Sequence, residues 1–179
     1  MATKQFLFSG FGGQGILFSG KFLAYKGLNE GKQVSWLPSS GPEMRGGTAS
    51  CSVITSDEPV GSPIVSNPDV LVAMNLPSLD KFEDSVVPGG IIIADSSLIE
   101  RKVKRSDVTT VYITATRLAG ENDIPTLANM IIIGKVMEIL GEYNEEGVNA
   151  ALSKVISAKR ANMLEANFKA IKIGAEFKD

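Results

Sequence analysis

Two short stretches hold the residues best suited to chemistry. The first is SGFGGQG, residues 9–15, directly after the apolar run of residues 5–8. Gly10, Gly12 and Gly15 satisfy G-x-G-x-x-G, and Gly13 and Gln14 lie inside the pattern. Glycines permit a tight turn and a close backbone approach, and a following helix would direct its N–H groups and positive dipole end at an anion. Such a loop accommodates a phosphate. Gln14, a neutral amide at the predicted helix start, is a natural contact for a ligand or partner. The second stretch is SSGPEMRGG, residues 39–47, in which Glu43 and Arg45 stand between Gly41 and the pair Gly46, Gly47. A guanidinium there could clamp a phosphate or carboxylate, with Glu43 orienting it; the plainer alternative is a solvated ion pair worth about 0–1 kcal/mol.

Other chemistries are removed by composition. The 179 residues include no histidine, which excludes Ser-His-Asp catalysis and imidazole-bound zinc. The single cysteine, Cys51, cannot supply the roughly four thiolates of an iron–sulfur cluster, and it reads as a small core residue. Net charge is −2 and the basic residues Arg101, Lys102, Lys104 and Arg105 are scattered, so nucleic acid is not an expected partner. Asn129, Lys135 and Glu138 interrupt the most apolar stretch, residues 124–140, which argues against a membrane span. The N-terminus carries no long apolar segment, and the expected location is cytoplasmic.

The elements around these residues follow from periodicity. A strand over 5–9, the glycine turn and a helix over 14–29 follow in order, with Gly31 ending the helix. Residues 34–37 and 48–55 read as strands flanking the second loop. The apolar runs 70–74 and 91–94 suit strands buried on both faces, residues 76–82 a helix with Pro77 in its first turn, and residues 110–114 a further strand. The last third predicts three helices: one from Pro125 to Leu140, apolar nearly all round and therefore buried in the core or against another subunit, then one each along Val148–Ile156 and Leu164–Ile171. The predicted fold is α/β in three layers, a mainly parallel or mixed sheet with helices on both faces, and residues 1–179 form a single domain. A dinucleotide reading needs a carboxylate about 20 residues beyond the glycines, whereas the chain has Trp36, Leu37, Pro38, Ser39 and Ser40 there. The glycines could equally serve close strand–helix packing alone.

In order, GFGGQGILFSGKFLA, WLPSSGPEMRGGTASCSVI, EPVGSPIVSNPDVLVAMNLPSLDKF and PGGIIIADSSLI closely resemble the gamma subunit of the 2-oxoacid:ferredoxin oxidoreductases. The 2-oxoglutarate type is the nearest match and the pyruvate type the alternative. The resemblance runs over about residues 4–175. It implies an enzyme that oxidatively decarboxylates a 2-oxoacid and transfers the acyl group to coenzyme A, passing electrons to ferredoxin. Thiamine diphosphate, magnesium and the iron–sulfur clusters would belong to alpha, beta and ferredoxin-like delta partners. This chain would hold no tight cofactor of its own, would be inactive alone, and would contribute to assembly and the coenzyme A environment. Gly10, Gly12, Gly13, Gln14 and Gly15 match the family's glycine loop, Gly41, Glu43, Arg45, Gly46 and Gly47 its second loop, and Asn75 and Ser96 further motif positions. All four segments are expected at the carboxyl ends of strands, where open α/β sheets bind ligands.

Overall fold

The structure, a computed structural model, describes residues 3–39 and 48–178. In chain order the elements are β1 (Thr3–Phe11), α1 (Ile16–Asn29), β2 (Gln33–Pro38), β3 (Thr48–Ser56), β4 (Val70–Ala73), α2 (Leu76–Phe82), β5 (Ile91–Asp95), β6 (Thr109–Ile113), α3 (Ala115–Glu121), α4 (Ala128–Ile139), α5 (Glu145–Val155) and α6 (Ala161–Glu176). The strands form one sheet in the order β2-β3-β1-β4-β5-β6. Strands β1, β4, β5 and β6 run parallel, while β3 pairs antiparallel with both β1 and β2. The sheet is therefore mixed, with a parallel half and an antiparallel half that meet at β1.

Helices cover the two faces unequally. Phe6, Phe8, Val70, Val72 and Ile93 point to a thick layer that includes Phe22 of α1, Ile131 of α4, Leu152 of α5 and Ile171 of α6. Leu7, Leu71, Ile92 and Ala94 point to the other face, covered by Leu79 of α2 together with Val86 and Ile99. The strand period of two sorts these residues. β4 is buried at all four positions, as expected for a strand covered from both sides.

Helix α4 is buried from Ala128 to Met137, and its cover comes from this chain rather than from another subunit. The close partner is α6. A Cβ built on Gly134 would stand 1.9 Å from the carbonyl oxygen of Ile171, and one on Gly174 would stand 1.7 Å from that of Ile131. The two helices thus meet backbone to backbone at a pair of glycines. Helix α4 begins at Ala128, not at Pro125; Pro125 and Thr126 form a turn, and Leu127 donates its N–H back to Ile124 O at 3.0 Å. Helix α3, absent from the sequence reading, has the short sequence ATRLAGE and buries only Ala115 and Ala119. Its small apolar residues give a weak periodic signal.

The scattered basic residues near 101–105 staple the thin face. Arg101 pairs with Asp80 at 2.7 Å and with the buried Glu83 at 2.9 Å, which also accepts the N–H of Lys104. Arg105 binds Asp107 and donates to the carbonyls of Glu83 and Val86. The two guanidinium charges are spent within the chain. Among the described residues no helix is long and apolar enough to cross a membrane.

Candidate functional site

Strands β1 and β4 are neighbours and parallel, yet the helices that follow them leave on opposite faces of the sheet: α1 to the thick layer, α2 to the thin one. That divergence makes the carboxyl ends of the two strands a topological switch point, the place where open α/β sheets bind ligands. Gly10 lies among the last residues of β1, Gly12 to Gly15 follow it and Asn75 follows β4, so all stand at this rim. Ser96 follows β5, the next parallel strand, and its N–H donates to Ile113 O at 2.9 Å, prolonging the pairing with β6. Gly41, Glu43, Arg45, Gly46 and Gly47 lie outside the described residues.

The glycine loop is braced from within. Gln14 Oε1 accepts the N–H of Phe11 at 2.6 Å, and Gln14 Nε2 donates to Met74 O at 3.3 Å, tying β1 to β4. Both ends of the half-buried Gln14 side chain thus hold the turn. Gly10 lies beneath it, where a Cβ would stand 2.5 Å from Gln14 Oε1. Gly12 and Gly13 form the exposed tip. Gly15 is the N-cap of α1 with φ 76°, a left-handed conformation in which a side chain is strained, and a Cβ there would meet Asn129 Nδ2 at 2.4 Å. Having no side chain, Gly15 offers no cap to the N–H groups of the first turn, and that turn carries no acidic residue. The positive end of a 14-residue helix therefore has no side-chain cap.

Asn75 is the N-cap of α2: its Oδ1 accepts the N–H of Ser78 at 2.8 Å, as an Asn before a Leu-Pro helix start predicts. Its Nδ2 is buried without a hydrogen-bond partner. Behind β5, the fully buried Asp95 accepts the N–H and Oγ1 of Thr116 and the N–H of Ser97, which secures the start of α3.

Two cavities flank the start of α1. The smaller, about 330 Å³, is lined by Phe11, Gly12, Gly13, Ile16 and Ala49 among others. The other, about 580 Å³, lies between Gly15 and Phe18 on one side and the α5–α6 connection on the other. Asn129, Asn167 and Arg160 line it, and none of them belongs to the glycine motifs. One signal was in the sequence: Asn129 is a polar residue in the first turn of a helix that is otherwise apolar nearly all round.

Cys51 sits in the core with its sulfur accepting the indole N–H of Trp36 at 2.8 Å. Burial pushes its thiol up to about 12, against a smaller lowering by that hydrogen bond. No group of three or more His, Cys, Asp or Glu side chains suited to a metal occurs among the described residues.

Comparison with known proteins bears on this arrangement. The family model described as pyruvate ferredoxin/flavodoxin oxidoreductase matches residues 5–177. Ketoisovalerate oxidoreductase subunit VorA of Methanothermobacter thermautotrophicus is 41% identical over 94% of this chain, and the chain spans about a third (35%) of that relative's length. The 2-oxoglutarate synthase subunit KorC of Methanocaldococcus jannaschii is 35% identical over 83% of this chain and 81% of its own length. A crystal structure of the keto/oxoacid ferredoxin oxidoreductase gamma subunit from Geobacter sulfurreducens superposes with a TM-score of 0.80 at 28% identity, covering 97% of this chain and 96% of that one. With a family match over nearly its whole length, relatives that are oxidoreductase subunits and the same mixed sheet, the chain belongs to the pyruvate ferredoxin/flavodoxin oxidoreductase family and is of its gamma-subunit type.

Proposed function

We propose that this chain is the gamma subunit of a complex that oxidatively decarboxylates 2-oxoglutarate, passes the electrons to ferredoxin and delivers the acyl group to coenzyme A. Alpha and beta subunits hold thiamine diphosphate and magnesium, and a ferredoxin-like delta subunit joins them in carrying the clusters. The gamma chain's share is to receive coenzyme A at the β1–β4 switch point. The observation that carries this reading is the uncapped start of α1 beneath the glycine loop, a set of free backbone donors with a positive dipole end, suited to a diphosphate. In this proposal Arg45, of the motif over residues 39–47, is an anion contact for the coenzyme.

The choice of 2-oxoglutarate follows the KorC relative, which shares most of its length with this chain. The higher identity to VorA supports a second reading in which the acid is a branched-chain one such as ketoisovalerate. Co-expression with the companion subunits, followed by kcat/KM for 2-oxoglutarate, ketoisovalerate and pyruvate, separates the two. Preference for 2-oxoglutarate upholds the first, and preference for ketoisovalerate replaces it with the second. In the same complex, Arg45→Ala weakens coenzyme A binding; unchanged affinity and acyl transfer would remove Arg45 from the site.

A further inference from the structure

Asn129 sits where an apolar residue would serve stability better. It is in the first turn of α4, among the buried Ala128, Met130, Ile131 and Ile132, and is itself 4% exposed. Among the described residues its amide makes one hydrogen bond: Nδ2 donates to Gly15 O at 3.0 Å, while Oδ1 is buried without a partner. An amide buried with one end unpaired costs stability, and a leucine of similar shape would carry no such cost. Residues that break a local rule in this way are expected where function holds them.

The acceptor of that bond points to the function. Gly15 O also accepts the N–H and the Oγ–H of Ser19, each at 3.0 Å. Those two donors belong to α1 itself and occupy the carbonyl's two lone pairs, so Asn129 is not needed to keep Gly15 O paired. What Asn129 adds is a tie from the N-cap of α1 to a separate element, 114 positions away in the chain. It grips a residue with φ 76°, and its own seat is firm, because α4 meets α6 backbone to backbone at Gly134 and Gly174. On the other side of the turn, Gln14 holds Phe11 N and Met74 O. The exposed Gly12 and Gly13 therefore lie between two held points, Phe11 and Gly15.

We infer that Asn129 is a positioning residue for the coenzyme A step, kept at a cost in stability. It acts through Gly15 rather than by contact with the ligand: its bond fixes the left-handed N-cap, and with it the first-turn N–H groups of α1 and the end of the glycine loop, relative to α4. The inference rests on the proposed function, in which coenzyme A is received at this loop. A displacement of about 1 Å caused by a change remote from the chemistry can lower a rate by about a hundredfold, so one bond at this place has a measurable effect.

The test measures steady-state kinetics, melting temperature and amide hydrogen exchange on the assembled complex carrying Asn129→Leu, Asn129→Ala or Asn167→Leu. Asn167 is the control: it is 2% exposed on the neighbouring α6, its Nδ2 also donates to a carbonyl, Met163 O at 2.8 Å, and its Oδ1 is also unpaired, but its bond stays within its own helix. Asn129→Leu leaves the melting temperature unchanged or raised, raises KM for coenzyme A by about tenfold with kcat at saturating coenzyme A retained, and speeds exchange of the Ser19 N–H. Asn129→Ala shows the same change in KM, and Asn167→Leu leaves KM for coenzyme A where it was. A merely structural Asn129 would lower the melting temperature on replacement and leave KM alone; that result, or failure of both Asn129 variants to fold, overturns the inference. An equal rise in KM for Asn167→Leu overturns it too. Gly12→Asp in the same complex separates this inference from the reading it rests on. If Gly12→Asp raises KM for coenzyme A and Asn129→Leu does not, the coenzyme site stands and the positioning role falls; if neither raises it, the proposed site falls as well.

Discussion

Gly13 and Gly15 are both left-handed, at φ 92° and 76°, but they answer differently to a side chain. Nothing lies within 4 Å of a Cβ on Gly13, whereas one on Gly15 would enter the Asn129 amide. Gly13→Ala is expected to cost about 1 kcal/mol, the price of the backbone conformation alone. Gly15→Ala costs more, about 2–4 kcal/mol, because steric displacement of a buried Asn adds to it. Chemical denaturation of both variants checks the ordering, and equal losses would remove Asn129 as the prop of the loop. Cys51 permits a second prediction at this scale. Its thiol is raised by burial, so the folded state favours the protonated form; stability is fully present below the unfolded value near 9 and declines as pH rises from there toward about 12. Thiol-reactive dye should label Cys51 at pH 8 only after denaturation, and fast labelling of the folded chain would contradict its burial. The glycine motif was legible from residue types alone, and Asn75 as a helix start was legible from the Leu-Pro that follows. The role of Gln14 was not, because its partner, Met74 O, is 60 positions away and belongs to a neighbouring strand.

At the scale of elements, apolar runs identified the buried strands and long helices, since burial on both faces removes alternation. What they could not reveal was how closely two helices pack. The Gly134–Gly174 contact between α4 and α6 depends on two residues that carry no hydropathy signal and are 40 positions apart. Gly174→Ala forces a methyl group into the carbonyl of Ile131 and is expected to destabilise by about 2–3 kcal/mol or more, read as a lower denaturation midpoint. A loss under about 0.5 kcal/mol, the scale of a neutral surface change, would mean that the helices are free to part. Asn129 and Asn167 sit on these same two helices, so the packing that brings α4 against α6 also brings both residues to one cavity.

Across the whole molecule, the junction of an antiparallel and a parallel half-sheet at β1 explains the position of the site. Strand β1 sends its helix to the thick layer and β4 sends its helix to the thin one, which leaves the glycine loop and the start of α1 at an open rim. The gathering of Gly10–Gly15, Asn75 and Ser96 on three adjacent parallel strands was foreseeable from the rule for open α/β sheets. The cavity beyond Gly15 was not, since it is assembled from segments more than 100 residues downstream of the loop. The most direct measurement of the central claim is the affinity of the assembled complex for coenzyme A with and without Gly12→Asp, which puts a carboxylate at the exposed tip of the loop beside the start of α1. The account predicts affinity reduced by about tenfold or more, with assembly and melting temperature unchanged. Unaltered coenzyme A affinity and acyl-transfer rate in that variant would contradict it.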